Sequence, residues 1–330
     1  MKTRVAVIGL GKMGLMHASI ISMLDNAELV AICEKNSFIR RLSKKVIPDV
    51  EIVIDLEDLC KMKLDAVCVT TPPDSHFQII KAVYEREIAR NIFTEKPLAV
   101  SYRQAEELCS LAEKHGGVNM VGYHRRFSVT SVKARELLED DSIGKPISFQ
   151  GYAYSADFLG AKSPSQAMGR GGVLEDLGCH AIDLALWLLG EMEVVSARFQ
   201  SLIGDGSLDE VYLEVKTPDD LKGEFRASWC KESYRLPDIG LTITGTHGTL
   251  RVNEDVVSLD TPDGKSSIWY KHDLNDFVPF FLGGAEYQRQ DELFIKSIGN
   301  GTEASPSFRT ASRVERLVDQ ANSLAGGHRV

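Results

Sequence analysis

No two of the six cysteines (33, 60, 68, 109, 179 and 230) stand at CxxC spacing, so the chain carries neither a zinc ribbon nor a disulfide framework. They scatter, mostly through apolar runs, and read as reduced thiols of a cytoplasmic protein. Long hydrophobic runs are missing too. The longest apolar stretches are strand-length, far short of a membrane span. The first residues lead directly into a strand pattern without the apolar core of a secretory signal, so a cytoplasmic location is expected. Positive charge is in deficit: 38 Lys and Arg against 47 Asp and Glu leave a net charge of −9. With no long basic cluster, this argues against a nucleic-acid surface. The Arg40-Arg41 and Lys44-Lys45 pairs read as a solvated helix face. Internal repeats and low-complexity segments are absent. The remaining composition, 43% hydrophobic and 26% charged over 330 residues, is that of a globular protein large enough for two cores.

The richest stretch is Arg4-Val-Ala-Val-Ile-Gly9-Leu-Gly11-Lys-Met-Gly14. Apolar residues run into Gly-x-Gly-x-x-Gly, and a helix pattern follows over residues 13–24. Strand, glycines, helix is the order a dinucleotide fingerprint requires. Gly9 makes the tight turn, Gly11 lets backbone approach a pyrophosphate, and Gly14 lets helix and strand pack closely. The pyrophosphate would rest on unpaired N–H groups at the helix start, beside Lys12 and Met13. Glu34 closes a second apolar run, 20 residues past Gly14 (34 − 14), where a carboxylate can accept hydrogen bonds from an adenosine ribose.

Strand patterns at residues 4–9, 28–33, 51–54, 65–70, 88–94 and 117–122 alternate with helical ones, notably 75–87 and 101–115. Alternation of this kind implies a parallel sheet with right-handed crossovers. Ligands bind outside the carboxyl ends of such strands, which places Gly9–Gly14, Glu34, Thr70–Pro73 and Glu95–Pro97 along one rim. After Gly122 the texture changes. A helix over 130–138 and a strand over 146–155 precede a Gly- and Ser-rich loop. A strong helix follows over 173–189. Strands and turns fill 193–270, so this sheet is expected to be mostly antiparallel. Helices return over 285–298 and 308–325. The chain is therefore read as α/β, with a dinucleotide-binding domain over 1–122 and a second domain over 123–330. The second sheet needs cover on both faces. Little helical sequence is left for one of them, so a homo-oligomer is expected.

Two constellations suggest chemistry. Thr94-Glu95-Lys96-Pro97 ends the fifth strand, and the proline keeps Lys96 out of helical conformation. A lysine on the cofactor rim could polarise a hydroxyl or carbonyl; the alternative is a plain charge pair with Glu95. Further on, Asp176, His180, Asp183 and Trp187 form a polar stripe beside an apolar one, about 100° around the same helix. An aspartate one turn before a histidine can orient and charge-stabilise its ring. A structural histidine is the alternative, and a metal site lacks a suitably spaced third ligand. Gly169-Arg170-Gly171-Gly172 before this helix permits a ligand close to backbone, or is only a flexible loop.

Five pieces in this order resemble the glucose–fructose oxidoreductase / inositol dehydrogenase / rhizopine catabolism family over nearly the whole chain. They are Gly9–Gly14, Thr71-Pro-Pro73 with His76, Glu95-Lys96-Pro97, Gly122-Tyr-His-Arg-Arg-Phe127, and Gly171-Gly-Val-Leu-Glu-Asp176-Leu-Gly-Cys-His180-Ala-Ile-Asp183. The resemblance implies a Rossmann domain followed by an α/β domain on a large open sheet. It also implies hydride exchange between NAD(P) and a carbon of a sugar, cyclitol or related polyol. Lys96 looks like the family's active-site lysine, and Asp176 with His180 like its aspartate–histidine pair. Thr71, Pro72, His76 and Glu95 fall where the family contacts cofactor. His124 and Arg125 fall where it meets nicotinamide or substrate, and Tyr154, Arg170 and Tyr287 are further candidate contacts. Glu34 favours NAD by repelling a 2′-phosphate; Lys35 beside it keeps NADP as the alternative. The Lys96–Pro97 bond is expected to be cis. A dimer or tetramer is expected through the open sheet. Two other readings remain: a glycosidase that uses held NAD without net redox, and a regulator that binds NAD(P) as a sensor. Retention of both Lys96 and His180 counts against the regulator.

Overall fold

The computed structural model describes residues 2–158, 171–202 and 208–326, and the side chain of Val46 is also left out. By compactness the chain divides into one unit of residues 1–124 with 278–315, and a second of 125–277 with 316–330. This division is not a single cut after Gly122: C-terminal chain is counted with the first unit.

The first unit holds a parallel sheet of six strands. They are β1 (Thr3–Ile8), β2 (Ala27–Cys33), β3 (Glu51–Val53), β4 (Ala66–Val69), β5 (Asn91–Thr94) and β6 (Asn119–Val121), in the order β3-β2-β1-β4-β5-β6. Central β1 buries Val5, Ala6 and Val7 completely. That is why its sequence is a continuous apolar run, as expected for a parallel strand covered on both faces. Between the strands lie α1 (Lys12–Met23), α2 (Ser37–Val46), the short α3 (Leu56–Leu59), α4 (Pro73–Glu85) and α5 (Tyr102–His115). α2 starts at Asn36, whose side chain accepts from the N–H groups of Phe38 and Ile39. α5 starts at Ser101, which accepts from Gln104 N–H. α1 starts at Gly11 with no side-chain cap, so its first N–H groups are left for another acceptor. Of the charged pairs of α2, Arg41, Lys44 and Lys45 are exposed, whereas Arg40 is half-buried and turns back to the Glu34 and Lys35 carbonyls. C-terminal chain adds α8 (Ala285–Asn300) to this unit, and the division runs through α9 (Phe308–Ala325) after Glu315.

The second unit carries α6 (Val129–Glu139), α7 (Cys179–Leu189) and an eight-stranded sheet. The strands are β7 (Pro146–Tyr154), β8 (Glu193–Gln200), β9 (Glu210–Lys216), β10 (Lys222–Ser228), β11 (Asp238–Gly245), β12 (Thr249–Val252), β13 (Val256–Asp260) and β14 (Ser266–Tyr270). Their order is β14-β13-β12-β11-β7-β10-β9-β8. Only β7 and β10 pair in parallel; every other neighbouring pair is antiparallel. One face buries Phe149, Ala153, Leu213, Phe225, Ile239 and Leu241 beneath α7 and the turn before it. The other face presents Gln150, Tyr212, Glu214, Glu224 and Arg226, with Arg198 and Arg226 over the Tyr212 ring. The sequence reading expects cover on both faces; the side chains named on this one are aromatic or polar. Alternation along the strands, interrupted by register shifts in β8 and β11, leaves this face polar, as antiparallel sheets allow.

The helix expected over 173–189 is not uniform. Leu174–Gly178 is wound as a wider π turn, in which Cys179 N–H donates to Leu174 O, and the regular α-helix begins only at Cys179. Gly178 presses against Leu174 and the β10 residue Ala227, where a side chain would crowd both.

Candidate active site

The parallel sheet puts the carboxyl ends of β1, β2, β4 and β5 on one edge, and every expected cofactor residue of the first unit lies at or beside that edge. The three glycines differ in what holds them. Gly9 has φ +90, and a Cβ there would lie 2.7 Å from Thr71 Cγ2. A Cβ on Gly14 would lie 2.0 Å from Gly9 O, so α1 can sit this close to the turn only with glycine. Thr70 Oγ1 donates to the same carbonyl at 2.7 Å and pins the turn from β4. Gly11 meets nothing within 4 Å. Nothing in the folded chain demands a glycine there, but a pyrophosphate approaching the uncapped α1 terminus would. Gly11 and Lys12 are exposed and Met13 is half-buried at that terminus.

Glu34 follows β2. Its Oε2 accepts from Leu10 N–H at 2.6 Å and its Oε1 from Asn36 N–H at 2.7 Å, so the carboxylate faces the glycine turn. Each oxygen keeps a lone pair for a ribose hydroxyl. Exposed Lys35 stands beside it, and Arg40 donates back to the Glu34 and Lys35 carbonyls. The donor set fits an NAD-type dinucleotide: an open backbone approach at Gly11, a helix terminus without a side-chain cap, and a carboxylate facing the glycine turn.

Thr71 and Pro72 open α4. The Thr71 hydroxyl accepts from Ser75 Oγ at 2.7 Å. His76 is completely buried, with Nδ1 2.7 Å from Pro97 O and Nε2 2.8 Å from Thr71 O. Burial pushes its pKa down, against the pull of those two carbonyls. His76 thus braces the Thr71 loop and the Pro97 turn. The Lys96–Pro97 bond is cis, as expected from the sequence. Lys96 is half-buried, and its N–H donates to Glu95 Oε2 at 3.3 Å. His124 stacks on Tyr287 of α8 with ring centroids 4.3 Å apart, so these two candidate contacts come together.

In the second unit, Asp176 lies in the π turn, half-buried, and His180 is the second residue of α7, 6% exposed. The regular i, i+4 spacing assumed from the sequence does not run through this junction, because the turn holding Asp176 is wound with i→i−5 bonding. Such wide turns are frequent at functional sites. Asn322 Nδ2 braces the turn by donating to Glu175 Oε1 at 3.1 Å, and Cys179 Sγ donates to Asp176 O at 3.6 Å. The polar stripe divides in two. Asp183 is fully buried and takes a two-pronged ion pair from Arg126, with Nε–Oδ2 2.8 Å and Nη2–Oδ1 2.5 Å. Trp187 lies under the guanidinium groups of Arg126 and Arg135. Both side chains are thus taken up by arginines of this unit, so the stripe is not uniform. Arg125 is ion-paired with Glu254 on the turn between β12 and β13. Tyr154 stacks on Tyr152 at 5.3 Å and leans on Tyr234, and burial raises its pKa despite nearby Lys231. Arg170 lies outside the described residues.

Three contacts escaped the sequence reading: His17 with Asp291, Arg126 with Asp183, and Thr70 Oγ1 with the Gly9 carbonyl. His17 carried a signal, a polar residue among the buried positions of α1. Its partner, 274 residues away in sequence, carried none.

Residues 3–123 match an oxidoreductase family with an NAD-binding Rossmann fold, and residues 131–251 match the GFO/IDH/MocA C-terminal domain. The chain belongs to the GFO/IDH/MocA oxidoreductase family. Among curated members, scyllo-inositol 2-dehydrogenase (NAD(+)) of Bacillus subtilis (strain 168) is 28% identical, covering 76% of this chain and 73% of its own. Myo-inositol 2-dehydrogenase of Thermotoga maritima is 27% identical, covering 90% and 89%. Among solved structures, levoglucosan dehydrogenase in complex with NADH and levoglucosan superposes with a TM-score of 0.86 at 23% identity, over 99% of this chain and 98% of that one. At that identity the likeness speaks for the fold. As a family member the chain is an NAD-dependent oxidoreductase with a Rossmann unit and a mostly antiparallel second sheet. Among the described residues no helix is long and apolar enough to cross a membrane.

Proposed function

We propose that the protein oxidises a CH–OH group of a sugar, cyclitol or related polyol, or reduces the matching ketone, with NAD as partner. The observation that carries this reading is the rim itself: an open Gly11, an uncapped α1 and Glu34 lie on the same sheet edge as Lys96. Inositol and glucoside dehydrogenases among the relatives support the substrate class. When bound, NAD supplies the hydride acceptor, and that chemistry belongs to the cofactor. Gly9–Gly14 would hold its pyrophosphate, Glu34 its adenosine ribose, and the Thr71–Pro72 and Glu95–Lys96 ends its remaining length. In this proposal Lys96 donates a hydrogen bond to the reacting oxygen and stabilises its developing negative charge. His180 takes the hydroxyl proton, and Asp176 steadies His180. Substrate contacts are proposed for the His124–Tyr287 stack, Tyr154, Arg125 and Arg170. The first unit is the cofactor unit and the second the substrate unit. We further propose a cytoplasmic homo-oligomer, a dimer or tetramer. Six free cysteines accord with a reducing location.

A thermal-shift panel of inositols, aldoses, glucosides and anhydrosugars, with and without NAD, tests the substrate class. Stabilisation by one of them only when NAD is present, with NADH formed on turnover, is the expected result. Glycoside cleavage without added NAD and without net NADH would replace this reading with the redox-neutral one.

A further inference from the structure

His17 sits on α1, six residues past Gly11 (17 − 11), with no exposed surface. Its Nε2 is 2.9 Å from Glu95 Oε1, and its Nδ1 is 2.9 and 2.8 Å from the two Asp291 oxygens. Each ring nitrogen thus faces a carboxylate. A neutral ring has only one N–H, and its bare nitrogen would oppose an oxygen lone pair at hydrogen-bond distance. With both carboxylates ionised, the geometry calls for a proton on both nitrogens. Glu95 is fixed on its other side as well, because Oε2 accepts from Lys96 N–H at 3.3 Å. A Cβ on Gly122 would come within 2.9 Å of the Glu95 carboxylate, so β6 closes the space behind it. Asp291 belongs to α8, which also carries Tyr287.

We propose that His17 is a positioning residue: clamped between Glu95 and Asp291, it ties the cofactor helix to the strand end that carries Lys96 and to α8, and so fixes the Lys96 backbone. The proposal rests on the dehydrogenase reading for its catalytic consequence but not for the clamp itself.

The groups facing the ring from each packed element agree with this. Burial opposes charge on His17, yet Asp291 and then Glu95 outweigh it and raise its pKa to about 10. Cys68 of β4 senses the two carboxylates rather than the ring: burial, then Asp291 and Glu95, hold its thiol well above the ordinary range. Phe93 packs on the ring at 4.9 Å, and Tyr287 meets it edge-on at 6.5 Å. Burial also pushes the Asp291 carboxyl up, opposed by His17 and by a hydrogen bond from Gln290.

The test uses the full chain without NAD, labelled with ¹⁵N. Both His17 ring nitrogens should show the imidazolium signature at neutral pH, and the Lys96 amide resonance should move in His17→Gln. With a substrate that turns over, the same variant should lose about 10²-fold in kcat, the effect expected of a small misplacement away from the chemistry. NAD affinity by calorimetry should change far less. A neutral His17 tautomer, or an unmoved Lys96 amide, overturns the clamp whatever the enzyme's substrate. An unchanged kcat with a moved amide overturns its catalytic role. If His17→Gln does not fold, Asp291→Asn carries the test, since it loosens one jaw and leaves the ring. A Lys96 amide shift and a fall in kcat are again expected, and wild-type values for both overturn the proposal. If the wild-type protein turns over no sugar or polyol, the dehydrogenase reading fails while the resonances still decide the clamp.

Discussion

Two residues of the cofactor unit carry charge arguments that can be read separately. Glu34 faces the glycine turn through Leu10 N–H and keeps its remaining lone pairs for a ribose diol. A 2′-phosphate would set two anions against each other where the neighbouring backbone is partly buried. NAD should therefore bind at least about tenfold tighter than NADP, roughly 1.4 kcal/mol. Calorimetric titration of both dinucleotides measures this. NADP binding as tightly as NAD would mean that Lys35 or Arg40 governs the site. His17 makes a different prediction, about stability. Its folded pKa of about 10 lies above the ordinary 6.5, so the folded state holds the proton more tightly. That contribution is fully present below pH 6.5 and is lost as pH rises toward 10. Denaturation midpoints should fall across this window in the wild type and fall less in His17→Gln. Parallel pH profiles for the two proteins would contradict the assignment.

Among the elements, α1 with its glycine turn separates folding from binding. Gly14→Ala places a methyl 2.0 Å from a backbone oxygen, so helix and turn must move apart. Gly11→Ala meets nothing within 4 Å in the folded chain. The expected outcome is a clear loss of Tm for Gly14→Ala. Gly11→Ala should keep a near wild-type Tm but bind NAD at least about tenfold more weakly. Calorimetry and thermal denaturation on the pair check this; full NAD affinity in Gly11→Ala would remove the pyrophosphate from that spot. These same elements mark how far sequence reads. α9, expected over 308–325, has those bounds in the structure, because its apolar period and its flanks are local signals. The strand core of the parallel sheet was legible for the same reason. The π turn at Leu174–Gly178 was not, since an apolar pattern at helical spacing does not report which carbonyl Cys179 bonds. The Arg126–Asp183 pair was not either. Its partners are 57 residues apart, and a charged residue on a polar stripe gives no sign of a buried partner so distant in sequence.

Assembly is the question at the scale of the whole molecule. The open face of the eight-stranded sheet is polar, so apolar exposure there does not force association. A second copy would instead meet Arg198, Tyr212, Glu214, Glu224 and Arg226, an interface rich in aromatic and charged groups. Light scattering should give a multiple of the 36.5 kDa chain mass at micromolar concentration. Such an assembly should loosen at high salt, as solvent-accessible charge pairs are screened. A 36.5 kDa species at low salt would leave this face without a partner copy.

The central claim is that Lys96 and His180 act on one substrate oxygen while NAD takes the hydride. NADH formation from the sugar or cyclitol that NAD-loaded protein binds tests it most directly, compared across wild type, Lys96→Met and His180→Asn. Loss of a positioned acid–base group typically costs about 10²–10⁴-fold in rate. Both variants should fall within that range, with NAD affinity of His180→Asn nearly intact. Near wild-type NADH formation by His180→Asn would make His180 structural and move the proton acceptor elsewhere, with Lys96 the first candidate.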